Sequence, residues 1–271
     1  MRNEIRNLLA HTGDMALRRR AAWLVKKLNP SSNDRILDAG CGDGYYLFLL
    51  NRLDLNIKLV GVDADEKALA SAAQNLKDKQ IKLVRGDVSN LPFAKDIFDG
   101  VILSEVLEHL NNDAIALAEA RRVLQPGGKL VVSVPNLNYP FLWDPVNWCL
   151  QRLFNSHIKR GFWAGIWNQH LRLYTQNELK KVLKDAGLKN VKVETLTHYC
   201  LPFNHHLINL VARFLARQKN NSNIKNMLSK FGQSEKRKSF NLLWPILVFD
   251  KLNDMWDEKG SSVSLVASAT K

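Results

Sequence analysis

Ile36-Leu37-Asp38-Ala39-Gly40-Cys41-Gly42-Asp43-Gly44 reads as a buried strand, a tight glycine turn and the opening of a helix near 45–53. Glycines at three alternate positions let backbone approach a ligand where a Cβ would obstruct it. A glycine turn at a helix start commonly seats a dinucleotide pyrophosphate on backbone amides. Here Asp38 closes the strand and Asp43 stands inside the turn. Two carboxylates repel a pyrophosphate and attract a cation, so the ligand expected is a nucleoside that carries positive charge.

Outward from the turn, short apolar strands alternate with helical patterns, as a parallel sheet with crossover helices requires. An amphipathic lead-in helix over 15–28 stops at Asn29-Pro30. Strands are expected at 35–39, 58–62, 81–85, 100–103 and 129–134, with helices near 65–77, 105–109 and 112–124. The rhythm breaks at 136–170, an aromatic stretch with one helix near 145–154. Thr175 caps a helix over 176–186 that Gly187 closes. A sixth strand follows at 191–196, and a last one alternates over 261–269. Between them lies a long interruption with apolar helical patterns at 205–217 and 240–256. The units are thus a lead-in (1–30), a core (31–135), a first insertion (136–173), a core helix and strand (174–198), a second insertion (199–260) and a final strand (261–271).

Seven strands with the last reached from the sixth is the order of events in class I methyltransferases. The chain resembles that family from about residue 15 to residue 196 and again at the last strand. The resemblance implies an α/β fold, doubly wound, with a mostly parallel seven-stranded sheet and an antiparallel last strand. It also implies S-adenosylmethionine as donor, whose sulfonium and ammonium groups suit the acidic turn. Family members usually join the last two strands by a short connection, where this chain has residues 199–260. Ligands of such sheets bind outside the carboxyl ends of the strands. Both insertions leave carboxyl ends, so both are expected to stand over the acceptor side.

Donor contacts are expected from Asp38, Gly40, Cys41 and Gly42 in the turn, and from Asp63 and Ala64 at the end of the second strand. A carboxylate at Asp63 accepts the ribose hydroxyls; Asp65 reads as a helix cap instead. By the resemblance, Asp87 meets the adenine amino group, Val88 lends a backbone amide, Leu91-Pro92-Phe93 closes the adenine pocket and Ser104 completes the site. Glu105, Glu108 and His109 would share one face of a helix at i, i+3 and i+4, a partial ligand set for a divalent metal. Methyltransferases of the small-RNA 3′-end type and certain quinone-ring types are similar here and add a distant histidine, for which His170 is the candidate. Many metal-free members share the same EVLEH stretch, and a metal is the less favoured reading. His109 and His170 are also the candidates for an acceptor-side base. The D/N-P-P-Y/F motif of nucleic-acid amine methylation is absent after the fourth strand.

Charge divides the chain. Residues 1–150 carry 19 Lys and Arg against 18 Asp and Glu, and residues 151–271 carry 20 against 8. Six of the seven tryptophans also lie beyond residue 140. This basic, aromatic half suits an anionic partner. An acceptor that is small or lipid-like, reached at a membrane face, is preferred over an RNA acceptor or a non-catalytic donor-binding subunit. Three widely spaced cysteines form neither a disulfide framework nor a zinc site. With no apolar leader or spanning run recognised, the expected place is the cytoplasm, peripheral at a membrane. The oligomeric state is left open.

Overall fold

The computed structural model describes residues 9, 12, 14–53, 55–76, 80–198, 231, 250, 251, 253 and 261–271. Asp14 accepts from the Leu17 amide at 3.0 Å and starts α1 (Met15–Leu28); left-handed Asn29 ends it before Pro30. Then come β1 (Arg35–Ala39), α2 (Tyr45–Asn51), β2 (Lys58–Asp63), α3 (Glu66–Leu76), β3 (Lys82–Arg85) and β4 (Phe98–Ser104). The chain continues through α4 (Asp113–Val123), β5 (Leu124–Pro135), α5 (Pro145–Phe154), α6 (Gln176–Asp185), β6 (Lys189–Leu196) and β7 (Ser264–Thr270). Asn112 caps α4, and Thr175 with Glu178 forms a reciprocal capping box on α6, which satisfies amides that a helix start leaves without partners.

The seven strands lie in the order β3-β2-β1-β4-β5-β7-β6, all parallel except β7, which runs antiparallel to both β5 and β6. This is the expected doubly wound α/β sheet. Neighbouring residues of the central strands face opposite ways. Ile36, Leu59, Ile102, Val131 and Val266 join the core under α1 and α2; Leu37, Val60, Val101, Leu130 and Leu265 join the core under α4 and α6. Strands buried on both faces explain why the sequence shows apolar runs there rather than alternation.

β5 and β6 run parallel, and the segments after Pro135 and Leu196 leave the same edge of the sheet. The first of these segments builds its own apolar cluster: Tyr139, Trp143, Ile166, Trp167 and Leu173 pack with Ala16 of α1 and Val263. Buried Asp144 and Asn147 hold it together. Asp144 caps α5 and accepts from the Ile166 amide (3.1 Å), while Asn147 donates to the carbonyls of Trp163 and Ala164. The helices expected at 205–217 and 240–256 lie outside the described residues, apart from positions 250, 251 and 253. Of that segment, Phe231 packs edge-on against Tyr45 and Phe48, and Asp250 pairs with Arg18 and Arg19.

One expected element does not form. The sequence predicts a helix over 105–109; instead a single 3-10 turn spans Leu107–His109. The Glu105 amide still donates to the Ser133 carbonyl of β5 at 2.9 Å, and Glu105 itself is left-handed at φ 57°. That residue cannot continue into a right-handed helix, so the shared face of Glu105, Glu108 and His109 is lost.

Candidate active site

The glycine turn is held to β2 by two amides, Gly40 N and Cys41 N, which both donate to the Val62 carbonyl at 2.8 and 2.9 Å. Gly40 has φ 79°, and a Cβ there would come within 2.4 Å of Val106 Cγ2. Gly42, at φ 52°, has nothing within 4 Å of its Cβ position and lines a cavity of about 570 Å³. Gly40, Cys41, Gly42, Asp63, Ala64, Asp87, Val88 and Ser104 all line this cavity, together with Glu105 and His109.

Asp63 supports the turn as well as facing the cavity. Its two oxygens accept from Gly42 N (2.8 Å) and Asp65 N (2.9 Å). Asp87 accepts from Ser89 N at 2.8 Å, and the segment beyond it is clamped by α4. Arg122 donates to the carbonyls of Leu91 (3.0 Å) and Phe93 (2.8 Å), while Glu119 accepts from Leu91 N (2.8 Å) and pairs with Arg122.

Asp38 is the exception among the expected donor contacts. It is 1% exposed and is not among the residues on the cavity wall. Its Oδ2 is buried with no hydrogen-bond partner. Burial, with Asp63 and Asp43 nearby, pushes its carboxyl up to about 8. A buried acid with an unsatisfied oxygen and two acidic neighbours fits a cationic ligand in the adjoining space, and Gly42 leaves room for one.

A second cavity, about 230 Å³, adjoins the first. Trp143, Ile166, Val263, Pro135 and Ala16 give it apolar walls; Arg20, Glu105, His170, Asn168 and Ser264 give it polar ones. Arg20 and Glu105 line both spaces and pair at 3.2 Å. Glu105 also accepts from Ser133 (3.0 Å), which contacts Ser104 (2.8 Å), which donates to the Tyr46 phenol (2.9 Å). The sequence predicts Glu105 as a metal ligand beside Glu108. The left-handed backbone at 105 instead directs its carboxylate to Arg20 and Ser133. Arg20, Tyr46 and Ser133 escaped the sequence reading: Arg20 stands in a run of three arginines on an amphipathic helix, a pattern that reads as a solvated face.

His109 and His170 do come together, their rings edge to face with centroids 4.8 Å apart. His109 Nδ1 donates to the Gln169 carbonyl at 3.1 Å. His170 Nε2 lies 4.0 Å from Glu108, which is fully buried with neither carboxylate oxygen bonded. One ligand atom from each of Glu108, His109 and His170 falls within 4.8 Å of the others. Burial first, then the charge of Glu105, holds the Glu108 carboxyl well above the ordinary carboxylate range, and burial lowers the His170 imidazole, keeping it neutral.

Residues 37–132 match the family model of a methyltransferase domain, and with the sheet order and the acidic glycine turn over an open cavity this supports a class I S-adenosylmethionine-dependent methyltransferase. It is an enzyme of that class, with S-adenosylmethionine as its methyl donor. Among its relatives, the uncharacterized methyltransferase YdaC of Bacillus subtilis is 28% identical over 112 residues, 41% of this chain, which spans 62% of YdaC. The demethylmenaquinone methyltransferase of Staphylococcus saprophyticus is 28% identical over 199 residues, 64% of this chain and 78% of that protein. The fold is shared with phosphoethanolamine N-methyltransferase 2 of Haemonchus contortus, solved with S-adenosylmethionine (TM-score 0.58, 17% identity, 93% of this chain and 52% of that one). It is shared as well with the [4+2]-cyclase SpnF (TM-score 0.58, 17% identity, 93% and 80%). So wide a range of chemistry on one fold leaves the acceptor to be argued from the site itself.

Proposed function

We propose that the chain methylates an oxygen of a small or lipophilic acceptor, met near a membrane surface, whose reacting end sits in the second cavity. The observation that carries this reading is the pair of adjoining cavities with Arg20 and Glu105 common to both. When bound, S-adenosylmethionine supplies a methyl group already activated on a sulfonium. What the protein adds is alignment, exclusion of water and, for a hydroxyl acceptor, a base. Asp63 and the Gly42 backbone hold the donor side, and Asp87 and Val88 bound its far end. Trp143, Ile166 and Val263 keep the acceptor side dry, and neutral His170 takes the hydroxyl proton on a ring nitrogen. Glu108 lies 4.0 Å from Nε2, and a positive charge forming on the ring would draw its raised carboxyl toward the ionised form.

At about 230 Å³ the second cavity is smaller than the roughly 300–1,000 Å³ that encloses a drug-sized ligand. It takes a ring or headgroup and leaves a longer tail outside. Relatives named for demethylmenaquinone support an acceptor of that lipophilic kind. Incubating the protein with a cell extract and methyl-labelled S-adenosylmethionine, then separating lipid, RNA and small molecules, tests the reading. Label is expected in the lipid or small-molecule fraction; label confined to RNA would contradict it. His170→Ala should lower kcat by about 10²-fold or more, the usual scale of acid–base catalysis, with donor affinity unchanged.

A metal-assisted form of the same transfer is a second reading, favoured by the buried, unbonded oxygens of Glu108 beside two imidazoles. It requires metal in the purified enzyme, loss of that metal in Glu108→Gln, and inhibition by EDTA. Full activity in EDTA removes it.

A further inference from the structure

α5 is only half-buried along most of its length and exposed at its end, Arg152–Phe154. Its sequence, PVNWCLQRLF, is mostly apolar, yet Asn147 is its one residue in the buried class. A helix of a globular protein normally turns such residues to the core. Here Leu153 is 71% and Phe154 70% exposed, above every other large apolar side chain among the described residues. Phe141, Leu142 and Trp163 are also exposed, by 46%, 42% and 49%. Phe141 meets Trp148 edge to face at 5.3 Å, and the Arg152 guanidinium lies over the same indole at 4.1 Å. Single exposed apolar residues need no explanation, but six on one insertion, Leu171 being the sixth, do.

The exposed charge of this segment has one sign, since Asp144, the acid that caps α5, is buried. Arg152, Lys159 and Arg160 are exposed, and no Asp or Glu occurs between Pro145 and Asn177. We propose that the outer face of α5, with Phe141, Leu142 and Trp163 beside it, is a docking surface for an anionic lipid bilayer. Apolar side chains would enter the interface and the three cations would meet lipid headgroups. A second copy of the chain is a poor occupant, because a two-fold contact sets the patch against itself and places these cations against their own counterparts. At ten residues α5 is about 15 Å long, enough to lie in an interface and too short to cross one. No helix among the described residues is long and apolar enough to span a membrane.

The surface also lies where it is useful. The segments that present Leu142 and Trp163 outward turn Trp143 and Ile166 inward, onto the wall of the second cavity. A lipophilic acceptor would enter from the face that rests on its own membrane. The inference deepens the reading of a lipophilic acceptor, yet it is tested with neither donor nor acceptor present, so the two fail separately.

The test is sedimentation of the full chain with vesicles of phosphatidylcholine, alone or containing phosphatidylglycerol, at low and high salt. Binding is expected only to the anionic vesicles and should weaken with salt. Leu153→Asp/Phe154→Asp should lower the partition coefficient at least tenfold while S-adenosylmethionine binding stays as in the parent. Should that variant not fold, Arg152→Gln/Lys159→Gln/Arg160→Gln reads the same surface and should give a comparable loss on anionic vesicles. No binding by the parent to anionic vesicles, or full binding by the folded variants, would overturn the proposal. So would a parent dimer that the apolar double variant converts to monomer without any change in vesicle binding.

Discussion

Asp38 carries the donor site's charge logic from behind the turn. Its carboxyl is pushed up to about 8 by burial and by Asp63 and Asp43, so at neutral pH it is protonated before the donor arrives. A cationic donor favours the ionised form, and its affinity should therefore rise with pH through about 8. Titrations between pH 6.5 and 9 should show that rise in the parent, approaching tenfold per unit at its steepest, and a flat profile in Asp38→Asn. The same group acts on stability with a fixed sign. Because its folded pKa lies above its unfolded one, its stability is full below about pH 4 and is lost progressively as pH rises toward 8. Asp38→Asn should remove that loss in denaturant titrations at pH 8. The residues that line the donor cavity were legible in sequence because each follows a parallel strand at its carboxyl end. Asp38 was legible from its place at the strand end, but its burial behind the lining residues was not, since strand and turn geometry, not residue type, decides which carboxylate faces the space. Arg20 was not legible: its role comes from where α1 crosses the sheet edge.

At the scale of elements, the clamp from α4 decides how firmly the loop after β3 is held. Arg122 spans the Leu91 and Phe93 carbonyls and Glu119 takes the Leu91 amide. Arg122→Ala frees two carbonyls and leaves Glu119 without its partner. Hydrogen bonds to charged groups are worth about 1.5–3 kcal/mol, so a loss of roughly 1–3 kcal/mol in unfolding free energy is expected. Donor affinity should fall with it by several-fold, since Val88 sits in the same loop; calorimetry of both quantities checks this. Strands, helix caps and the crossover rhythm were readable because apolar runs, Asp14, Asn112 and Thr175 state them locally. The EVLEH stretch misled for a physical reason. Its apolar and acidic spacing suits a helix, but the Glu105 amide remains tied to β5, a pairing that depends on residues distant in sequence.

The molecule as a whole sets two cavities side by side at the carboxyl edge of one sheet, read as the donor and acceptor sides. Arg20 from α1 and Glu105 from the end of β4 form the boundary, and the first insertion roofs the acceptor side. Charge composition foretold a basic, aromatic back half, and the structure sorts its aromatics into two groups. Tyr139, Trp143 and Trp167 are buried in the insertion's own core, while Phe141 and Trp163 remain outside. Composition could not make that division, because it depends on which side of a short helix meets the sheet edge. Whether the cavity between Gly42, Asp63 and Asp87 holds the donor is decided by calorimetric titration of the parent and Asp63→Ala with S-adenosylmethionine at pH 8. One site per chain is expected in the parent and affinity at least tenfold weaker in Asp63→Ala, the loss of a charged hydrogen-bond acceptor at about 1.4 kcal/mol per tenfold. Undiminished binding by Asp63→Ala, or none by the folded parent, would contradict it.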